Sequence, residues 1–252
     1  MIDIGLPSFE RLIRCAGLAC LGLAVMWPAA TGATTGLLPK NFTAKYEASF
    51  KGVPITAVRS LKTLDNGLQE LRFSADSWLA NIDEFSHFRW NEQGQVVPKN
   101  YEYHREGLGR DRHAILSFNW EDKRVVNNVQ NKPWTMDLPA EALDKLSYQI
   151  QLRRDLLNNK QSGRYIVADG GKIKHYLFEV VGEEVLQTPV GRLHTIKVKR
   201  VREKSNKRIT HLWLAKDWNL LVVRISQQEK DGKPYEIILA KAKIDGEAVK
   251  GF

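Results

Sequence analysis

Between residues 42 and 244 the chain alternates apolar and polar residues in short runs, and most runs end in a tight-turn signal. Phe42, Ala44, Tyr46, Ala48 and Phe50 alternate with mostly polar neighbours, the period of a half-buried strand. Runs 53–63 and 68–78 flank Asp65-Asn66-Gly67, and Asn and Gly tolerate the positive φ that a hairpin turn requires. Run 85–90 leads to 96–104 through Asn91-Glu92-Gln93-Gly94, and 113–120 leads to 124–130 through Glu121-Asp122-Lys123. Seven further runs follow, at 164–168, 172–181, 184–188, 193–202, 208–215, 220–228 and 235–244. Asp169-Gly170-Gly171, Pro189-Val190-Gly191 and Asp231-Gly232-Lys233 supply three of their turns. No linker rich in Pro, Gly or Ser divides the chain, and no fixed-period repeat runs through it. Such a series predicts an all-β, mainly antiparallel fold: a curved meander sheet forming a barrel or half-barrel.

One segment breaks the period of two. Leu143, Leu146, Ile150 and Leu157 fall on one stripe at helical spacing, with Leu152 and Leu156 beside it. Glu141, Asp144, Lys145, Gln151 and Arg154 fall elsewhere. Asp137 can cap the start, Pro139 suits a first turn, and Asn158-Asn159 and Gly163 mark the end. One inserted helix near 138–158 is therefore predicted, laid on the concave face of the sheet. The C-terminal strands are apolar on both faces: Ile209, Trp213 and Ala215 alternate with Leu212 and Leu214. Burial on two faces needs cover on two sides. The helix supplies one, and a second layer of sheet or a ligand cavity supplies the other.

The first 33 residues follow a different grammar. Arg11 and Arg14 precede an uncharged run from Cys15 to Trp27, Pro28 breaks it, and small residues lead to Thr31-Gly32-Ala33. This predicts a cleaved signal peptide, 1–33, a single β-rich domain, 34–252, and a periplasmic location. The uncharged run of 13 residues is short beside the roughly 20 a membrane helix needs. A lipid on Cys20 is the weaker alternative, because Gly17-Leu18-Ala19-Cys20 leaves few apolar residues after Arg14. Both cysteines lie in this leader, so the mature chain excludes disulfides, thiol catalysis and Cys-ligated zinc. The leader holds two bases (Arg11, Arg14) and two acids (Asp3, Glu10), so its removal leaves the formal charge at +9. For a basic protein outside the cytosol, the available anions are lipid head groups and acidic envelope polymers rather than nucleic acid.

Three stretches are distinctive together. They are Leu138-Pro139-Ala140-Glu141-Ala142-Leu143-Asp144-Lys145-Leu146-Ser147-Tyr148-Gln149-Ile150-Gln151-Leu152-Arg153; Val180-Val181-Gly182-Glu183-Glu184 with Thr188-Pro189-Val190-Gly191-Arg192-Leu193-His194-Thr195-Ile196-Lys197-Val198; and Trp213-Leu214-Ala215. The chain resembles, from about residue 46 to 244, the bacterial envelope family called domain of unknown function 3108. That resemblance implies an exported protein. The family has no established activity or ligand, so it transfers no site residue. A weaker likeness, to lipoprotein-carrier half-barrels, implies at most a curved sheet around a lipid-accessible cavity.

No catalytic or metal motif appears. His87, His104, His113, His175, His194 and His211 form no His-Glu-x-x-His pair, and no Gly-x-Ser-x-Gly elbow is present. Asp83-Glu84, Glu121-Asp122 and Glu183-Glu184 are sequence neighbours, which on a strand point to opposite faces. No catalytic residue, no metal ligand and no cofactor is predicted. Going back by twos from Phe252 gives Lys250, Ala248 and Gly246, which does not make the lipid-facing band of an outer-membrane barrel.

Two constellations carry binding chemistry. Tyr101, Tyr103 and Arg105 share one strand face that could line a pocket for an anionic head group, with Arg105 pairing a phosphate. Cross-strand aromatic packing is the plainer reading. Lys197, Lys199, Arg200, Arg202, Lys204, Lys207 and Arg208 gather on one predicted hairpin, either as a patch for an anionic surface or as a solvated tip. The sequence thus predicts an exported protein with a non-catalytic binding or structural role in the envelope, taking an amphipathic or anionic ligand. A hydrolase acting on a cell-wall or lipid substrate and a scaffold for another envelope protein are the alternatives. The expected partners are a lipid, an anionic envelope polymer or an envelope protein, with no nucleic acid and no transmembrane span in the mature chain.

Overall fold

The computed structural model describes residues 37–50, 53–78, 80–107, 111–169, 171–201, 209–228 and 234–252. The predicted leader, with Cys15 and Cys20, lies outside the described residues. The strands are β1 (Phe42–Phe50), β2 (Val53–Thr63), β3 (Gln69–Asp76), β4 (Ala80–Trp90), β5 (Val96–Gly107), β6 (Arg112–Asn119), β7 (Arg124–Val129) and β8 (Lys132–Asp137). Helix α1 (Ser147–Leu157) follows, then β9 (Ser162–Ala168), β10 (Ile173–Thr188), β11 (Gly191–Val201), β12 (Ile209–Ala215), β13 (Leu221–Gln228), β14 (Pro234–Ile244) and β15 (Glu247–Ala248). All belong to one sheet in the order β8-β7-β6-β5-β4-β3-β2-β1-β14-β13-β12-β11-β10-β9, with β15 on β14. The pairing of β1 with β14 joins the first strand to the last long one. The edges β8 and β9 do not pair with each other, so the curved sheet stays open as a half-barrel.

The pleat sorts residues into rows across the concave face. One row runs Phe42, Leu61, Leu71, Ser86, Tyr101, Leu116, Asn127. The next runs Ala44, Arg59, Phe73, Glu84, Tyr103, Ala114, Val129. A sheet this curved needs an apolar filling, and α1 supplies it: Ile150, Leu152 and Leu156 are all buried.

The helix starts later than its apolar stripe predicts. Asp137 ends β8 and pairs with Arg124 at 2.6 Å instead of capping. Glu141 takes a φ of 60°, which no helix interior accommodates. The residue that closes this end is Asp144, in the turn just ahead of the regular helix, where its carbonyl accepts the Tyr148 N–H at 3.3 Å. Its Oδ1 accepts the N–H groups of Leu146 and Ser147 at 2.8 Å, and Ser147 Oγ accepts the Asp144 N–H at 2.8 Å. This is a reciprocal capping box. Just before it, Leu143 bridges in parallel to Val167 of β9, so the entry to the helix lines one sheet edge. Asp144 and Gln151, which the stripe leaves on the polar side, are buried, because the sheet surrounds the helix rather than touching one face. Gln151 is satisfied by the Val96 N–H at 2.8 Å and by Asp155 at 3.1 Å.

Three strand expectations change as well. β8 falls where no strand is predicted. β10 is one strand of 16 residues, bent by a bulge between Val180 and Gly182 rather than broken there. Among the described residues, no second layer of sheet covers the convex side of β12. Trp213 is covered instead by Lys197 Nζ and the Arg224 guanidinium, 4.9 and 4.6 Å from its ring centroid.

The C-terminal tail docks on the β10–β11 turn. The Gly251 N–H donates to Val190 O at 2.7 Å and the Phe252 N–H to Arg192 O at 3.0 Å. A Cβ on Gly251 would stand 2.4 Å from Arg192 N and from Gly191 C. Gly251→Ala is therefore expected to displace the tail and cost about 1 to 3 kcal/mol in urea unfolding. A change under about 0.5 kcal/mol, the size of an ordinary surface substitution, would show that the tail contributes nothing.

Candidate functional site

The second concave row carries the chemistry. β2 places Ala57, Arg59 and Leu61 inward, so Arg59 occupies a core position between two apolar neighbours. β4 does the same with Glu84, between Ile82 and Ser86. Phe73 separates the two charges in register. Above it, a cavity of about 170 Å³ opens between the sheet and the start of α1. Ala57, Phe73, Leu146, Ile225 and Ile237 form its apolar wall, and Arg59, Glu84 and Gln149 its polar one.

The two charges are not equally answered. Glu84 accepts the Tyr101 hydroxyl, and Lys145 Nζ lies 3.6 Å from it. Burial, then the Glu84 charge, pushes the Tyr101 phenol far above its ordinary pKa, so it stays a donor. Lys145 also sits 5.1 Å over the Tyr103 ring. Arg59 Nη2 donates to Gln149 Oε1 at 2.7 Å, an uncharged partner. One turn along α1, Arg153 is 3% exposed and donates through Nη2 to Asn219 O and Oδ1 at 2.9 and 3.1 Å. Its Nε and Nη1 have no hydrogen-bond partner, and the guanidinium lies 4.9 Å over the Phe42 ring. Burial pushes the Arg153 guanidinium down to about 9; Tyr46 opposes that shift, and the Arg59 charge adds to it by a smaller amount. The Tyr46 phenol donates to Val222 O at 2.8 Å, and burial raises its pKa against the opposing pull of Arg59 and Arg153. Asp144 is wholly buried, and its Oδ2 accepts Ser86 Oγ–H at 2.6 Å.

An aromatic group forms the opposite wall of the concavity. Tyr148 stacks on Phe178 with centroids 5.7 Å apart and meets Tyr176 edge-on at 5.1 Å. The Arg200 guanidinium lies 3.6 Å over the Tyr176 ring. Elsewhere, a cleft of about 340 Å³ follows the open seam between Val96 and Tyr165, and a groove of about 440 Å³ lies beside the docked tail. In the seam cleft the most buried acid, Asp155, is already held by Tyr165, Lys160 and Arg154.

Of the residues singled out in the sequence, Tyr101, Tyr103 and Arg105 do share the concave face, opposite Ser86, Glu84 and Ile82. Tyr101 is committed to Glu84, and the three form a wall beside the cavity rather than its lining. The basic stretch is divided by the pleat of β11. Lys197 and Lys199 pair with Trp213 and His211 on the convex face, whereas Arg200 faces the concave side over Tyr176. Arg202, Lys204, Lys207 and Arg208 lie outside the described residues. Arg59, Glu84, Gln149 and Arg153 were missed. The available signal was a charge at an inward position of an alternating strand, and an arginine on the helix at the i+3 position from Ile150. Among the described residues, no group of three or more His, Cys, Asp or Glu is placed to hold a metal ion, and no helix is long and apolar enough to cross a membrane.

An open antiparallel half-barrel wrapped around one helix defines the class of fold. The chain belongs to the family described as "Protein of unknown function (DUF3108)", which it matches over residues 45–239. No curated protein matches it. Among solved structures it is similar to a β-barrel-like protein of domain of unknown function DUF1849 from Brucella abortus. That match has a TM-score of 0.57 and 11% identity, covering 82% of this chain and 99% of that one. A protein provisionally named a lipoprotein, from Parabacteroides distasonis, aligns at a TM-score of 0.30 and 13% identity, covering 83% and 99%. The first likeness shows the fold alone.

Proposed function

We propose that this chain is an exported, non-catalytic binding protein of the bacterial envelope that holds an amphipathic molecule on the concave side of its half-barrel. The observation that carries the reading is the apolar cavity between Phe73, Leu146 and Ile237. Beside it the row Ile225, Ile237, Ala48 and Ile55 is only half-buried. A concave, mostly apolar site with a few placed polar groups suits a small amphiphile. Binding is favoured over hydrolysis because the nearest carboxyls are engaged, Glu84 by Tyr101 and Lys145, and Asp144 by Ser86 and the helix N–H groups. The leader-like residues 1–33, with 34–252 as one domain, and the formal charge of +9 support placement in the periplasm, near anionic surfaces.

Native mass spectrometry of the full chain, expressed with its leader and purified from the export compartment, tests this. The expected spectrum shows a bound mass in the lipid range that is lost on denaturation. The bare chain alone, together with no fluorescence rise on adding N-phenyl-1-naphthylamine, would overturn the reading.

A further inference from the structure

The cavity wall is electrically unbalanced. Arg59 is 7% exposed, faces inward, and is bonded to the neutral Gln149. Arg153 lies close enough behind it for the two charges to oppose each other. Neither guanidinium has an ion-pair partner among the described residues; two nitrogens of Arg153 lack a hydrogen-bond partner, and the Phe42 ring, 4.9 Å away, covers its guanidinium. Glu84 lines the same cavity but is already answered by Lys145 and Tyr101. Burying an uncompensated cation is costly, and a charge-assisted bond to an anion offsets that cost.

We propose that the bound molecule is an alkyl anion, a carboxylate or a phosphate monoester, held head inward with its charged group on Arg59. Its chain runs past Phe73 and Ile237 towards Ile225 and Ile55. This rests on the binding reading above and adds the head-group charge and the orientation. Size agrees: an apolar cavity of about 150 Å³ takes a benzene-sized group. The 170 Å³ here takes the head group and the first carbons, and the rest of the chain lies along the half-buried row. The opposite orientation would seal Arg59 under hydrocarbon with its charge unanswered. Arg153, a layer deeper, contributes field rather than contact.

Calorimetric titration of the full chain with dodecanoate, dodecyl phosphate and dodecanol, each below its aggregation limit, tests the proposal. Both anions are expected to bind about tenfold or more tighter than the alcohol, the size of one hydrogen bond to a charged group. Arg59→Met is expected to remove that preference by weakening the anions while leaving dodecanol within about twofold. Should that variant fail to fold, Arg59→Lys keeps the charge but not the planar fork, and a smaller loss for both anions is expected. A stronger response to the carboxylate points to free fatty acids, and to the phosphate, to phospholipid-derived anions. Equal binding of all three ligands, or an anion preference untouched by the Arg59 variants, would overturn the head-inward proposal and leave amphiphile binding standing. No binding of any of the three would overturn both.

Discussion

Ile150→Ala is expected to destabilise the protein by about 2 to 5 kcal/mol, towards the upper part of that range. Ile150 is 1% exposed at the middle of α1, within the curve of the sheet. Removing three carbons there leaves a void, and the loss grows with the volume that neighbours fail to fill. The neighbours are strands held on both sides by backbone ladders, which resist collapse. Leu146→Ala removes a comparable volume one turn earlier, where the side chain already borders the 170 Å³ cavity. Fewer of its contacts are there to be lost, so the lower part of the same range is expected. Urea unfolding of the two variants gives both the sizes and the order. A loss below about 1 kcal/mol for Ile150→Ala, well short of the range for buried aliphatics, would mean that the helix does not anchor the core.

The strands were legible because their signal is local: a period of two and an Asn-Gly or Gly-Gly turn need no knowledge of the rest of the chain. β8 was not, because an edge strand exposed on both faces has no burial pattern to display. Its Pro133 is acceptable only at such an edge. The helix was legible from its stripe, but its start was not. Asp144, which closes that end, is fixed by a tertiary partner, Ser86, 58 residues away, and by a left-handed residue at Glu141. The site was hidden for a related reason. A charge on an alternating strand reads as solvent-facing until the sheet curls and the register shows which face is inside. Arg59 and Glu84 point in with Leu61 and Ser86. Tyr101, Tyr103 and Arg105 were visible because alternation along one strand was enough to align them. The same alternation divides Lys197 and Lys199 from Arg200, which a count of bases along a hairpin ignores.

Asp144→Ala is expected to cost about 2 to 4 kcal/mol. A lost N-cap accounts for about 1, and the buried Ser86 hydroxyl left without its acceptor for about 1 to 3. Asp144→Asn has nearly the same shape and keeps an oxygen for the Leu146 and Ser147 N–H groups. The Ser86 hydroxyl can turn to accept from the new amide, so a cost under about 1 kcal/mol is expected. The two variants also separate the hydrogen bonds from the charge. Burial holds the Asp144 carboxyl above the usual aspartate range, against the opposing pull of Ser86 and the N–H groups. The folded state therefore keeps this proton to higher pH than the unfolded chain does. The contribution of Asp144 to stability is fully present below the unfolded value near 3.9 and falls as pH rises through the raised one. Asparagine has no such dependence, so its cost relative to the native residue is expected to shrink between pH 4 and pH 7. Urea unfolding at both pH values reads all three quantities. An alanine cost under about 1 kcal/mol, or an asparagine variant as damaged as the alanine one, would remove Asp144 as the residue that fixes the helix start. That start carries Leu146 and Gln149 into the cavity wall, so the same loss is expected to weaken dodecanoate binding in Asp144→Ala and to spare it in Asp144→Asn.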